Sequence, residues 1–505
     1  MTSIAKRKTV IALAASALFA TLSGCAVGPD FKTPAGDKAE RYTADALPEK
    51  TVATPVAGGE AQTLQPGARL PPQWWQLFGS DLISERVDQA FAHSPSLAAA
   101  EAALREAQEN ARAANGGYWP SLDLNGQAAR QKANAGAAGA GAGGGAYIYN
   151  VYGASVGVSY TFDIFGGVRR SVEAQRALAE YQQFQSEGAY LTLASNVVTA
   201  SVREASLQTQ VAATEDIIKA LEAQQRITEK QYELGAVALT DVLSARTQVE
   251  GTRATLPELR QQLTETRNQL AIYLGQTPVE QDSATLDLGA LTLPQAIPLS
   301  LPSQLAQQRP DIRAAEAQLH QASANVGVAT ANLYPNLTIS GSYGAQATSG
   351  NLFEAANEVW NIAGGLTAPI FHGGELRARK RAAVARYDQA FANYRQVVLQ
   401  AFANVADSLH ALDNDAQALQ SRYAALQSAD QNLDLVQQSY KAGAVGYLNV
   451  LDAQRQQQQA KINFITAQAA RYSDTAALFQ ALGGGWWNRD DQVDAAPTTT
   501  AAAAP

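Results

Sequence analysis

The chain contains one long pattern twice, so any fold it adopts must carry two copies of one unit. The stretch Tyr440-Lys-Ala-Gly-Ala-Val-Gly-Tyr-Leu-Asn-Val-Leu-Asp-Ala-Gln454 has a twin in Tyr232-Glu-Leu-Gly-Ala-Val-Ala-Leu-Thr-Asp-Val-Leu-Ser-Ala-Arg246. Glycine-poor helical sequence flanks both, so each reads as the tip of a helical hairpin. Gly235 and Gly443 stand where a left-handed residue ends the incoming helix, and Asp241 and Asn449 read as N-caps of the returning one.

The repeat reaches well beyond the tips. Pro95 and Pro310, like Pro120 and Pro335, lie about 215 positions apart, whereas the tips are offset by about 208. A Gly/Ala-rich loop in the first copy absorbs the difference. Each unit therefore reads as helix, β-hairpin, long helix, tip and return helix. The first unit spans 81–295, with its hairpin at 120–165 and its tip at 232–241. The second spans 296–487, with its hairpin at 335–371 and its tip at 440–449.

In the hairpins the apolar period changes from that of a helix to two. Leu122, Leu124 and Gly126 alternate with polar residues, and so do Tyr152, Ala154, Val156, Val158, Tyr160, Phe162 and Ile164. The second copy repeats this with Leu337, Ile339 and Tyr343, then Trp360, Ile362, Leu366 and Ile370. Strands with one apolar and one polar face, about ten residues long with aromatics near their ends, fit a transmembrane barrel. A soluble hairpin packed by one face on helices is the second reading. Four strands cannot close a membrane barrel, which needs about eight, and an open edge in lipid leaves backbone groups unpaired. Several chains must then share one barrel. Three copies give about twelve strands, although the residues alone do not fix the number.

Between Gly167 and Tyr232, and between Gly374 and Tyr440, there is no proline and almost no glycine. At 1.5 Å per residue each stretch spans roughly 100 Å as a helix, too long for a globular domain. The return helices fall at about 239–275 and 447–481, and Pro257 is expected to kink or break the first.

The N-terminus has the form of a secretory signal: Lys6-Arg7-Lys8, an apolar run, then Leu22-Ser23-Gly24-Cys25. That ending resembles a bacterial lipobox, so 1–24 reads as signal peptide. Cys25 then carries N-palmitoyl and S-diacylglycerol groups, which anchor the chain without a spanning helix. Ala26 after the cysteine favours the outer membrane by the same likeness. Residues 25–80 read as an extended segment pinned by Trp74, Trp75 and Phe78, and 488–505 as a disordered tail. No later apolar run reaches the length of a membrane helix.

The remaining chemistry is sparse. With one cysteine there is no disulfide framework. The formal charge of −8 comes with no basic patch large enough to suggest nucleic acid. Gly139–Gly144 fits G-x-G-x-x-G only inside the Gly/Ala loop, without the following helix that a dinucleotide site needs. His93, His320, His372 and His410 have no ligand spacing. Arg377, Arg379, Lys380 and Arg381 follow the last strand; a solvated helix face is the favoured reading over contact with lipid headgroups. No catalytic, cofactor or metal site is expected.

Several motifs resemble one family, the TolC-like channel components of tripartite efflux systems, in their lipid-anchored OprM/NodT type. They are Cys25–Phe31, Trp74–Phe78, Leu301–Leu305, Arg309–Glu316, Tyr440–Arg455 and Ala481–Trp486. The resemblance implies a membrane α+β fold: a homotrimer with four strands per chain in a shared twelve-strand barrel, and a long periplasmic helical barrel. It implies a passive exit duct for drugs or other small toxic compounds, lipid-anchored in the outer membrane. Its partners would be a periplasmic adaptor (membrane fusion) protein and an inner-membrane RND-type pump. By that likeness Leu448 and Asp452 ring the periplasmic gate, and Tyr440 belongs to the contacts that close it. Gly235, Ala236, Val237, Gly443, Ala444 and Val445 form the adaptor-docking tips. The first tip has Thr240 and Ser244 at the gate positions, and Ser439 replaces the family's usual arginine. Alternatives are a channel for type I protein secretion and a non-conducting trimeric anchor.

Overall fold

A computed structural model describes residues 26–34, 41–134, 146–280, 284–348 and 352–488. In chain order its elements are β1 (Thr63–Pro66), α1 (Asp81–His93), α2 (Pro95–Asn115), β2 (Ser121–Asn134), β3 (Ala146–Phe162), α3 (Gly167–Glu233) and α4 (Leu239–Tyr273). Then follow β4 (Ala296–Leu299), α5 (Pro302–Gln308), α6 (Pro310–Ala331), β5 (Asn336–Ala347), β6 (Glu358–Thr367), α7 (Glu375–Lys441) and α8 (Tyr447–Ala481). The expected duplication is visible as two runs of helix, hairpin, long helix and return helix. Cys25, the signal sequence, Gly139–Gly144 and the tail from Arg489 on lie outside the described residues.

Two compact units cut across the repeats, each taking a piece of both. The first comprises residues up to Thr33, Leu104–Gln182 and Ala315–Tyr394, and it holds a four-stranded antiparallel sheet in the order β2-β3-β5-β6. Two strands stop short of their expected ends, β3 at Phe162 and β6 at Thr367, leaving Ile164 and Ile370 outside, whereas β2 and β3 are longer than the expected ten residues, at 14 and 17. Gly166, Gly373 and Gly374 take positive φ at these ends and turn the chain into α3 and α7.

The second unit comprises Pro34–Ala103, Gln183–Ala314 and the chain from Arg395. Its core is a stripe of small and branched residues. On α7, Ala401, Val405, Leu409, Leu412, Ala416 and Leu419 are buried at spacings of three or four, the packing seam of a helix. On α3, Leu193, Ala194, Val197, Val198, Val202 and Ala205 are buried along one face, a wider stripe that takes in adjacent pairs. Trp74, Trp75 and Phe78 are buried as expected, with Trp74 5.6 Å from the Phe479 ring. The carboxylate of Glu204, buried with Arg86, pairs with Arg86 at 3.0 Å and Arg267 at 2.9 Å, which meets the requirement that a buried charge be paired.

Two further features depart from expectation. The segment before Trp74 is not merely extended: β1 pairs in parallel with β4, Thr63 opposite Ala296. Helix α4 runs unbroken through Pro257, whose ring is exposed. Proline removes one intrahelical bond there, and on an exposed face water can take the freed carbonyl.

Candidate functional site

Three places hold the residues that the sequence singles out: the sheet, the tips and the strap formed by residues 26–34.

In the sheet, strict alternation builds continuous ladders across all four strands. Leu124 pairs with Val156, Val156 with Tyr343, and Tyr343 with Trp360. Leu122, Val158, Gly341 and Ile362 form the next row. Among the described residues these two rows are left uncovered: Leu124 is 80% exposed, Ile362 76% and Trp360 70%. A soluble hairpin resting on helices would bury these rows, and they are exposed instead. Between these rows runs the polar one, Asp123, Gly157, Ser342 and Asn361. Among the described residues, strands β2 and β6 each pair on one side only. No described helix is long and apolar enough to cross a membrane.

Both tips close with the same Schellman geometry. In the first, Gly235 N–H donates to Tyr232 O at 2.8 Å and Ala236 N–H to Gln231 O at 2.8 Å. In the second, Gly443 N–H donates to Tyr440 O and Ala444 N–H to Ser439 O, each at 2.9 Å. Gly235 and Gly443 both have φ of +76°, which an L side chain resists, while open space surrounds them. Glycine is required by the turn, and nothing crowds the tip. Gly235, Ala236, Gly443 and Ala444 are exposed; Val237 and Val445 are half-buried.

Asp241 and Asn449 are not the N-caps. Helices α4 and α8 start earlier, with Ala238 and Gly446 at the cap. Asp241 sits one turn in, where its Oδ2 accepts the Ala238 N–H at 3.4 Å. The carboxylate also lies favourably at the positive helix end.

The proposed gate residues fall into two groups. Leu448 and Asp452 share one face of α8, Leu448 being 69% exposed. The Asp452 carboxylate accepts Arg455 Nη2 at 3.0 Å and Gln456 Nε2 at 2.8 Å. Tyr440 lies apart from them, in the cluster of Tyr447, Val450, Leu451 and Ala245 beneath the tips. Its ring stands 5.6 Å from Tyr447. Burial, and then the nearby Asp241 carboxylate, raise the Tyr440 pKa, so the phenol stays a neutral donor. Burial raises Tyr447 likewise. Gln231, Tyr447 and Arg455 were not singled out from the sequence. The seven-residue spacing of Tyr440 and Tyr447 across the tip was the available signal.

The strap lies against the start of α3 and against α6. Arg170 donates Nη2 to Asp30 at 2.5 Å and Nη1 to Glu173 at 2.7 Å. Phe31 stacks on His320 at 4.5 Å, and the His320 ring bonds Glu173 through Nε2 at 2.9 Å. Thr33 donates to Glu316 at 2.7 Å. A Cβ on Gly28 would lie 2.5 Å from Gly327 Cα, so only glycines permit this approach. Val27 N–H reaches Phe165 O at 3.1 Å, close to the end of β3.

With this geometry in view, the relatives are informative. Residues 87–276 and 301–484 match the family described as outer membrane efflux protein. The pyoverdine export outer membrane protein OpmQ of Pseudomonas aeruginosa is 32% identical over 421 residues, covering 82% of this chain and 87% of that one. The toluene efflux pump outer membrane protein TtgC of Pseudomonas putida is 28% identical over 492 residues, covering 96% and 98%. Among solved structures, the outer-membrane channel OprN superposes with a TM-score of 0.81 at 28% identity, over 92% of this chain and all of that one.

Proposed function

This chain belongs to the outer membrane efflux protein family, and on that premise we propose how its own residues perform the work of an exit duct. It is an outer-membrane channel component of a tripartite efflux pump, with the fold of the TolC-like trimeric channels, and it is not an enzyme.

The carrying observation is the sheet: an uncovered apolar face, a polar face behind it and two open edges. In a bilayer the apolar ladders meet lipid and the polar rows line the bore. Edges β2 and β6 are satisfied when β6 of one copy pairs with β2 of the next. Three copies close a barrel of about twelve strands.

Cargo selection belongs to the pump. Two relatives of similar identity are named for unlike cargoes, pyoverdine and toluene. A shared duct serving such different molecules discriminates little. We assign drugs and other small toxic compounds to this one, driven by an inner-membrane RND-type pump through a periplasmic adaptor. The adaptor docks at the tips, Gly235–Val237 and Gly443–Val445, where exposure and open space support access.

Leu448 and Asp452 form the gate in this reading. Symmetry turns each into a ring: the leucines resist hydration and the aspartates attract cations. Their exposure on the free face of α8 supports it. Lipidation at Cys25 is likewise our assignment. Its support is the strap, which fastens Ala26 and Val27 beside the end of β3, next to Gly166. Acyl chains on the preceding residue would start at the membrane edge.

Planar-bilayer recording of purified protein tests the duct. Discrete, cation-favouring conductance supports it; a silent protein, even with Asp452→Ala, refutes it in favour of a non-conducting anchor.

A further inference from the structure

Duplication left one charged site filled in the first copy and open in the second. The two hairpins end at Gly166–Gly167 and Gly373–Gly374, and counting from these, Arg170 corresponds to Arg377 and Glu173 to Lys380. In the first copy the Arg170 side chain, 5% exposed, is held by Asp30 from the strap and by Glu173. In the second copy that carboxylate partner has become a cation. Arg377, Lys380 and Arg381 are spaced i, i+3, i+4, so they project from one face of α7. Among the described residues none of the three makes an ion pair, and the nearby Glu375 is taken by Arg379 at 2.5 Å. Like charges at these spacings oppose helix formation, and the positive end of α7 adds to them. The arrangement is unfavourable unless an anion joins it.

Position indicates which anion. The apolar rows of the sheet stop with β6 at Thr367, and Ile370 and Phe371 just beyond are 95% and 87% exposed. Apolar and aromatic side chains at a strand end, with arginine and lysine following within ten residues, match the order of acyl chains, interface and phosphates. We propose that Arg377, Lys380 and Arg381 bind the phosphate of an anionic phospholipid in the periplasmic leaflet of the outer membrane. The lipid takes the place that Asp30 takes in the first copy. This rests on the sheet spanning that membrane.

The test uses the full-length protein in detergent, supplied with phosphatidylglycerol and examined by native mass spectrometry. Wild type should retain this lipid, and each of Arg377→Gln, Lys380→Gln and Arg381→Gln should weaken retention about fivefold. Lys380→Glu, which rebuilds the ion pair of the first copy, should abolish it, whereas Arg377→Lys should keep most of it. Arg422→Gln, elsewhere on α7, controls for general charge loss and should change nothing. Conductance recorded in parallel shows that each variant is folded and inserted. Conducting variants that hold as much phosphatidylglycerol as wild type would overturn the proposal and leave the duct intact; a wild type that neither inserts nor conducts would instead refute the membrane placement.

Discussion

The Tyr440 hydroxyl donates to Gln231 Oε1 across 3.3 Å, so a residue from the end of α7 is tied to one from the end of α3. The bond joins the two copies of the duplicated hairpin next to their tips. It is the only link of its kind that Tyr440 makes among the described residues, and it leaves the Tyr440–Tyr447 ring pair intact if removed. Tyr440→Phe should therefore loosen the tips by about 1 kcal/mol without unfolding them. Hydrogen exchange at residues 228–241 and 436–447 should speed up about fivefold, while exchange in the sheet stays unchanged.

Gate function predicts a different result. Leu448→Ala and Asp452→Ala should each raise the entry of large antibiotics into cells, read as a lower inhibitory concentration of a drug normally excluded by size. Arg455→Ala should behave as a partial mimic of neither: it frees the Asp452 carboxylate from its 3.0 Å partner and should strengthen cation selectivity. Unaltered permeability in both alanine variants would remove Leu448 and Asp452 from the gate.

A pH dependence follows from α7 and α8. Burial pushes Asp415 up to about 7, aided by its hydrogen bond to Asp474 and that residue's charge, while Arg471 opposes the shift. Arg471 is fully buried and donates to the Leu412, Gly58 and Glu60 carbonyls. The folded chain thus keeps a proton that the unfolded chain releases near its ordinary value of 3.8. Between these values the folded state binds more protons, so its stability falls as pH rises. Thermal melting of the protein should be lower at pH 8 than at pH 5, and Asp415→Asn should flatten that difference.

The strap gives a further prediction. Arg170→Ala removes the cation that holds Asp30 and Glu173, a loss of about 2 kcal/mol from charged hydrogen bonds. Protease should then cut within residues 26–34 at concentrations that leave wild type whole. Gly28→Ala should do the same, because its Cβ has no room beside Gly327.

Much of this was legible in the sequence because it is written in local periods. Alternation marked the strands, and the absence of proline and glycine marked α3 and α7. Gly235 and Gly443 marked the tips, since a Schellman turn needs φ that glycine alone adopts freely. The helix starts after the tips were misread: an acidic or amide side chain suits both the cap and the first turn, and spacing does not separate them. Strands β1 and β4 are four residues each, too short for a period to register. Partners such as Gln231 for Tyr440 or Asp30 for Arg170 lie more than a hundred residues apart, and only the folded chain brings them together.

A closed duct requires copies of the same chain to complete the two unpaired edges of the sheet. Single-particle electron microscopy of full-length protein in detergent tests it most directly. A three-fold particle in which β6 of each subunit lies beside β2 of its neighbour is the predicted result. A monomer with β2 and β6 left open, or paired with each other, would contradict it.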